Sequence, residues 1–348
     1  MNRINPIIAN TSMTLNLVSG KEKAQEVLHC IILLRNTCER MMNCQKDLNL
    51  CSIDYAKAFD RVNREKLMEV LVKAGIPSHE RRLVCEILWN QSAKVKLTTG
   101  TTEDIMIQRG VRQGYILSPS LFNLYSEYLL QEAISETSGI LINGVNIHNI
   151  RYADDTVILA ESEEQLQAML DSIVDKCKEY GMEIKAKKTK TMHIGRDTKT
   201  LTITVGNAVL EQVSKYSYLG QMITEDVATL KKVQIRIEKT RQKFWENKEL
   251  LRRNVGLNTK KRILPCYIFS VFNYGCEAWA YSKTVQKKMQ TFEIWHYRRL
   301  LKVPWTEKKT NKEIIKMADV GERLLQQLMK RKRRYAGHIM RGSSGPSL

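Results

Sequence analysis

Apolar and polar positions follow two regimes along this chain, and the change falls near Val227. Before it, helical and strand periodicities alternate. From Lys21 to about Met42, Val27, Ile31, Leu34 and Cys38 recur at helical spacing and predict a helix with one buried face. Leu48–Tyr55, LNLCSIDY, then switches to strand character and closes on Asp54. Helices are expected over Arg64–Ala74, with Asn63 as N-cap and Gly75 and Pro77 as terminators, and over about Ser78–Asn90. Ala93–Thr98 and Asp104–Gln108, joined across Thr99–Gly100, read as a hairpin. Arg109–Leu124 reads as a glycine-bearing loop followed by a helix, with Ser118 as cap and Pro119 at the first helical position.

A second hairpin is expected over Gly139–Ile150, turning at Asn143-Gly144. Ile150–Ala160, IRYADDTVILA, follows as two short buried strands with Asp154 and Asp155 at the turn between them. A helix over Ser162–Tyr180 and a lysine-rich, strand-like segment over Glu183–Ile194 come next. Strands at Leu201–Val205 and Tyr216–Leu219 end the mixed part. Beyond Val227 the pattern is long basic helices with breaks near Gly256–Asn258, Gly275, Pro304 and Gly321. Residues 1–20 and 342–348 are polar and unpatterned, and are expected to be poorly ordered.

Charge follows the same division. From Lys231 onward there are 29 Lys and Arg against 9 Asp and Glu, whereas the preceding residues carry 27 against 28. The whole excess of +19 therefore belongs to the helical third. A helical region this basic is suited to phosphates, the source of most sequence-independent nucleic-acid affinity. Five basic residues in a row, Lys330, Arg331, Lys332, Arg333 and Arg334, form a candidate phosphate-contact or nuclear-import patch; a solvated helix face is the alternative. Four of the five tryptophans, Trp245, Trp279, Trp295 and Trp305, lie in this region, mostly for packing, with one or two available to bases or sugars.

Composition adds exclusions. No run of 18 apolar residues predicts a membrane-spanning helix, and the first residues lack the form of a secretory signal. The eight cysteines are scattered without a Cys-x-x-Cys pair, so neither a zinc site nor a disulfide framework is expected, and an intracellular location is.

The candidate chemistry lies in the carboxylates. Asp154 and Asp155 repel each other unless a cation offsets them, and oxygen ligands at a rigid turn suit a hard divalent ion. A solvated acidic turn is the plainer alternative. Asp54 ends another strand about a hundred residues earlier, and an antiparallel sheet can place the two strand ends together. Three such carboxylates are what two-metal phosphoryl or nucleotidyl transfer requires.

The segments SIDYAKAFDRVN (52–63), RGVRQGYILSPSLFNLY (109–125), YADD (152–155), GMEIKAKKTKTM (181–192) and YSYLG (216–220) together resemble the reverse transcriptase palm of non-LTR, LINE-type retrotransposons. The motifs come in the family's order, over roughly residues 21–340. The resemblance implies an α+β fold: a polymerase right-hand palm, an antiparallel sheet with helices on one face, followed by a mostly helical basic thumb and C-terminal region. It divides the chain into a disordered start (1–20), a palm with partial fingers (21–222), a thumb-like domain (223–303) and a basic C-terminal region with a flexible tail (304–348). The implied activity is RNA-directed DNA polymerase, with two Mg²⁺ ions (or Mn²⁺), an RNA template, a DNA primer or target and dNTPs as partners, and a nuclear or cytoplasmic location.

Residue by residue, the resemblance makes Asp54, Asp154 and Asp155 the metal carboxylates and the Tyr55 carbonyl a further ligand. Phe59 would sit beneath the sugar; Gln113 and Gly114 would hold the incoming nucleotide; Lys188 would be a general acid to pyrophosphate. Tyr218, Leu219 and Gly220 would grip the primer terminus, and Arg109 and Arg112 would contact nucleic acid. Asp60 is expected to be structural. This chain departs from the family in carrying Lys185 where an Asn is usual. It also departs in having only LNLVSGKEKAQ where the fingers' conserved glycine-phenylalanine-arginine stretch is expected. An incomplete element is therefore expected, and a remnant that only binds nucleic acid is the rival to an active polymerase.

Overall fold

A strand with apolar residues on both faces needs cover on both sides, and Leu48–Ile53 (β1) has it, since all six residues are buried. In this computed structural model, which describes residues 20–98, 100–134, 139–142, 144–227, 229–252 and 256–341, β1 is the centre of a five-stranded sheet. The expectations for the first residues, the tail, Thr99 and Asn143 lie outside the described residues. The strands Asn149–Tyr152 (β2), Asp155–Ala160 (β3), Lys190–Ile194 (β4) and Glu211–Gln212 (β5) complete the sheet in the order β5-β4-β1-β3-β2. All pairings are antiparallel except β4 with β5.

Register assigns the two faces. Cys51 stands opposite Ile158 and Thr191, while Leu50 stands opposite Leu159 and Met192. Because side chains alternate, Cys51, Ile53, Ile158 and Ala160 share one face. That face joins the core formed with the helices Ser118–Ala133 (α4) and Glu163–Glu179 (α5). Leu50, Leu159 and Met192 point the other way and are also buried, on the side where Gly20–Asn43 (α1) packs against β2 and β4. The α+β class stands, but helices cover both faces rather than one, because β1 leaves no polar side to face water.

Local signals act as expected at most helix starts. The Asn63 side chain accepts from the Lys66 N–H at 3.1 Å to begin the helix Arg64–Lys73 (α2), and Ser162 accepts from Gln165 at 3.1 Å to begin α5. Ser118 does not cap α4: it is the first helical residue, and its hydroxyl donates to the Arg112 carbonyl at 2.6 Å. Its hydrogen bond fixes the preceding loop instead. The expected single hairpin over 93–108 is two short pairings, Ser92–Ala93 with Ile105–Met106 and Lys96–Leu97 with Gly100–Thr101.

Contacts divide the chain into two units, through Leu219 and from Gly220. In the second, the helices Thr229–Glu246 (α6), Lys283–Leu300 (α7) and Leu324–Met340 (α8) share one hydrophobic core from Val233 to Leu328, which runs across Pro304. Pro265 does not stop its helix. The turn that lacks its N–H widens into a π segment, Leu264–Phe269. Among the described residues no helix is long and apolar enough to cross a membrane.

Candidate active site

Alternation on β1 places Leu50, Ser52 and Asp54 on one face, so an apolar row ends in a carboxylate as the strand runs out. On β3 the same face carries Leu159, Val157 and then Asp155, because Ile53 stands opposite Thr156 and the next pair along is Asp54 with Asp155. Tyr152 stands opposite Asp155, leaving Ala153 and Asp154 as the two-residue hairpin loop. Ala153 has a φ of 53°, a left-handed conformation that costs an alanine roughly 1 kcal/mol. Lys57, just beyond Asp54, has a φ of 49°. Strained backbone thus flanks the acidic cluster on both chains that build it.

The carboxylates lie close enough to feel one another's charge. The Asp155 carboxyl is raised above its ordinary range by partial desolvation and then by the charges of Asp154 and Asp54. Asp54 Oδ1 is buried and makes no hydrogen bond. The Lys185 ammonium lies 3.6 Å from it, while the Lys185 N–H donates to the Asp54 carbonyl at 2.8 Å. Among the described residues no three acidic, histidine or cysteine side chains already converge into a ready-made metal site. The donor set nevertheless fits a hard cation: three carboxylates, one oxygen without a partner, and one ammonium occupying the place of positive charge. The Tyr55 bridge to Ile184 uses the Asp54 carbonyl and the Ala56 N–H, so the Tyr55 carbonyl points away from that strand.

The glycine loop is tied to the same segment of chain. Val111 N–H donates to Phe59 O and Gly110 N–H to Val62 O, both at 2.8 Å. A Cβ at Gly110 would lie 2.7 Å from the Asp60 carbonyl oxygen, and its φ is 88°, so only glycine fits. Asp60 itself is exposed and contributes through its backbone. Arg64, 4% exposed, donates Nε to Gly110 O at 3.2 Å and holds the loop from below. Arg109, Arg112, Gln113 and Gly114 are left exposed on its outer edge. Phe59 is half-buried and stacks on Phe122 with centroids 4.6 Å apart.

Other expected site residues fall differently. Lys188 is exposed in the turn after Lys185, and it is Lys185 that reaches Asp54. Tyr218 is 1% exposed, with its hydroxyl on the Ile150 carbonyl at 3.4 Å, so its ring supports the hairpin strand and does not face a primer. Tyr216, half-exposed, bonds to Ser52 and senses the charges of Asp155 and Asp54. Leu219 and Gly220 have φ values of 46° and 74°, and the Gly220 carbonyl accepts from Arg236 at 2.5 Å. In the basic run, Arg331 pairs with the buried Glu277 at 2.8 Å and Lys332 donates to the Trp279 carbonyl at 2.6 Å. These two side chains fasten α8 to its core, leaving Lys330, Arg333 and Arg334 exposed.

Sequence reasoning missed the residues that position the hairpin. Arg151 forms a buried ion pair with Glu127 of α4, and its guanidinium also donates to the Ser126 carbonyl at 3.2 Å. Alternation was the available signal, since Arg151 lies on the inward face of a strand whose neighbours face the other way.

Comparison with known proteins agrees with this construction. Residues 3–223 match the family model described as reverse transcriptase (RNA-dependent DNA polymerase). The Pol polyprotein of retrotransposable element R2 from Nasonia vitripennis is 31% identical over 50% of this chain, which spans 18% of that polyprotein. The RNA-directed DNA polymerase from mobile element jockey of Drosophila funebris is 22% identical over 83% of the chain and 32% of its own length. Apo telomerase from Candida tropicalis superposes with a TM-score of 0.45 at 16% identity, covering 86% of this chain and 53% of that one. The chain thus spans only a part of the retrotransposon proteins it matches. With a family model covering more than half of its residues, it belongs to the reverse transcriptase (RNA-dependent DNA polymerase) family, on the LINE-type branch that includes R2 and jockey.

Proposed function

We propose that the first unit is the catalytic palm of an RNA-directed DNA polymerase that joins a dNTP to a primer 3′-hydroxyl on an RNA template. The observation that carries this is the placing of Asp54, Asp154 and Asp155 at one end of an apolar sheet face, with Asp155 raised by partial desolvation and then by the charges of the other two. Those three, with the Tyr55 carbonyl, would hold two Mg²⁺ or Mn²⁺ ions. Such ions, when bound, lower the pKa of the attacking hydroxyl and offset charge on the leaving pyrophosphate.

The remaining roles belong to the chain itself. Phe59, braced by Phe122, would lie beneath the sugar and exclude a 2′-hydroxyl. Gln113 and the Gly114 backbone would meet the incoming nucleotide, with Arg109 and Arg112 on its phosphates. Lys188, exposed at its turn, would give a proton to a pyrophosphate oxygen. The backbone at Leu219 and Gly220, together with Tyr216, would face the primer end, with Tyr218 as its buried support. The same basic chemistry makes the nucleus the proposed place of action, with Arg333 and Arg334 as the exposed part of an import signal.

A remnant that binds nucleic acid without copying it is the second reading. The Lys185 contact favours it, since an ammonium already neutralises Asp54. Primer extension on an RNA template separates the two. The full chain is expected to incorporate dNTPs only with divalent metal, and Asp154→Asn to abolish incorporation. RNA binding without metal-dependent synthesis would instead establish the remnant.

A further inference from the structure

A guanidinium taken out of water needs acceptors, and Arg298 in the second unit lacks most of its own. Arg298 is 5% exposed. Its Nη2 donates to the Lys309 carbonyl, while Nε and Nη1 are buried with no hydrogen-bond partner. Among the described residues no carboxylate pairs with it. Trp305 lies over it, with the guanidinium carbon 4.3 Å from the ring centroid. Leaving charged donors unmet in this way costs free energy that a bound anion would recover.

The space beside Arg298 suits such an anion. A cavity of about 230 Å³ is lined by Trp295, Arg298, Arg299, Lys302, Pro304 and Trp305 among others, with three cations and no acid. A second hollow of about 480 Å³ shares Arg299 and Lys302 and adds Trp245 and Lys248. Neighbouring acids are engaged elsewhere: Glu246 with Lys243 at 2.9 Å, Glu307 with Lys309 at 2.7 Å, and Glu238 with Arg241 at 2.8 Å. Each hollow has one exposed indole, Trp305 at 68% and Trp245 at 47%. Arg299 stands 4.0 Å from the Trp295 centroid and 5.2 Å from that of Trp245, holding the shared wall in place.

We propose that these two hollows form a binding site for single-stranded nucleic acid, with a backbone phosphate against Arg298 and unpaired bases on Trp305 and Trp245. A phosphate in the first hollow is met by the cations that line it, Arg298, Arg299 and Lys302, as charge-assisted hydrogen bonding favours. Two cation-lined hollows sharing a wall, each with an indole, match the alternation of phosphate and base along one strand. A duplex offers phosphates but hides its base faces, and a phosphopeptide has no use for two exposed indoles. The site stands on the second unit alone and does not depend on the polymerase reading.

The test is binding of a labelled oligouridylate of roughly twelve nucleotides to the full chain without dNTP or metal, read by anisotropy and by tryptophan quenching. Trp305→Ala and Trp245→Ala, both at exposed side chains, are each expected to weaken binding about tenfold, within the range for one base stack. Lys302→Glu is expected to weaken it and to lower the salt slope by about one phosphate contact. Arg298→Met should do likewise, and the exposed-site variants keep the outcome decisive if it folds poorly. Oligodeoxythymidylate in place of oligouridylate shows whether the strand is RNA or DNA. Parent-like affinity in all four variants would overturn the proposal. So would a blunt duplex or a phosphoserine peptide that displaces the oligonucleotide as well as unlabelled oligonucleotide does. Failure of primer extension would leave this site standing, because neither readout involves synthesis.

Discussion

The first unit gathers negative charge without an adequate counter-cation, and the second gathers positive charge without a counter-anion. Asp54, Asp154 and Asp155 lie at one sheet end within reach of one another's charge, one oxygen lacks a hydrogen bond, and the Lys185 ammonium stands 3.6 Å from it. At Arg298 a buried guanidinium lacks two acceptors, and the groups around it are cationic or aromatic. Other charges are paired with acids: Arg151 with Glu127, Arg331 with Glu277, and Arg323 with Glu293 at 2.7 Å. Under-compensated charge at these two places marks them as candidate ligand sites, where function and stability pull apart.

The sharpest way to break this comparison is to separate the two sites by activity. Asp54→Asn should lower metal-dependent nucleotide incorporation by more than about 100-fold, since even groups that only support metal ligands are worth roughly 10–100-fold. It should leave oligonucleotide binding unchanged. Trp305→Ala should do the converse in a single-turnover assay on a saturating preannealed primer–template. Equal losses in both assays for either variant would show that the sites are not independent.

Stability provides the next contrast. Glu127→Gln takes the carboxylate away from the buried Arg151 guanidinium and is expected to cost about 3–5 kcal/mol in denaturant unfolding. Arg298→Met removes a charge that is already mostly unpaired, and should fall within about 1 kcal/mol of the parent. A large cost for Arg298→Met would mean that its cation–π contact and single hydrogen bond outweigh its desolvation.

Response to acid should also differ in sign. Burial in the aromatic cluster of Phe244, Phe269, Phe292 and Trp295 pulls His296 down to about 4, with Nδ1 on the Phe292 carbonyl at 2.9 Å. A depressed histidine is stabilising in its neutral form, so the second unit should lose up to roughly 3 kcal/mol as pH falls from about 6.5 towards 4. Unfolding followed by tryptophan emission reports on it, and His296→Leu should flatten that dependence. Asp155 has the opposite sign. Its raised carboxyl destabilises the folded state while ionised, and acidification through its pKa relieves the repulsion. Asp155→Asn should therefore raise the metal-free stability at neutral pH, by no more than the ~1 kcal/mol of a partly exposed charge interaction. A fall in stability would mean that the Asp155 carboxylate makes a compensating contact in the folded state.

Legibility was uneven for physical reasons. β1, β3 and the caps at Asn63 and Ser162 were readable because period and capping chemistry are local. The layer count was not, since a run such as LNLCSI reports burial without naming what covers each face. No break was expected at Pro265, and packing of Leu264, Ile268 and Phe269 carries the helix through it as a π segment, a backbone change that periodicity does not report. In the basic run, charge was legible but availability was not, because Glu277, which engages Arg331, lies 54 positions away.

The sequence by itself determined which chemistry is present: three aspartates at strand ends, a glycine loop that tolerates close backbone approach, and a basic, tryptophan-rich last third. Only the tertiary structure decided which of those groups are committed. Strand register brought Asp54 opposite Asp155, the fold buried Tyr218 behind the hairpin, and it fastened Arg331 and Lys332 to the core. It also left two of the Arg298 guanidinium nitrogens without acceptors. Composition and period are properties of neighbours along the chain, whereas the pairing of a charge depends on what folding carries to its side.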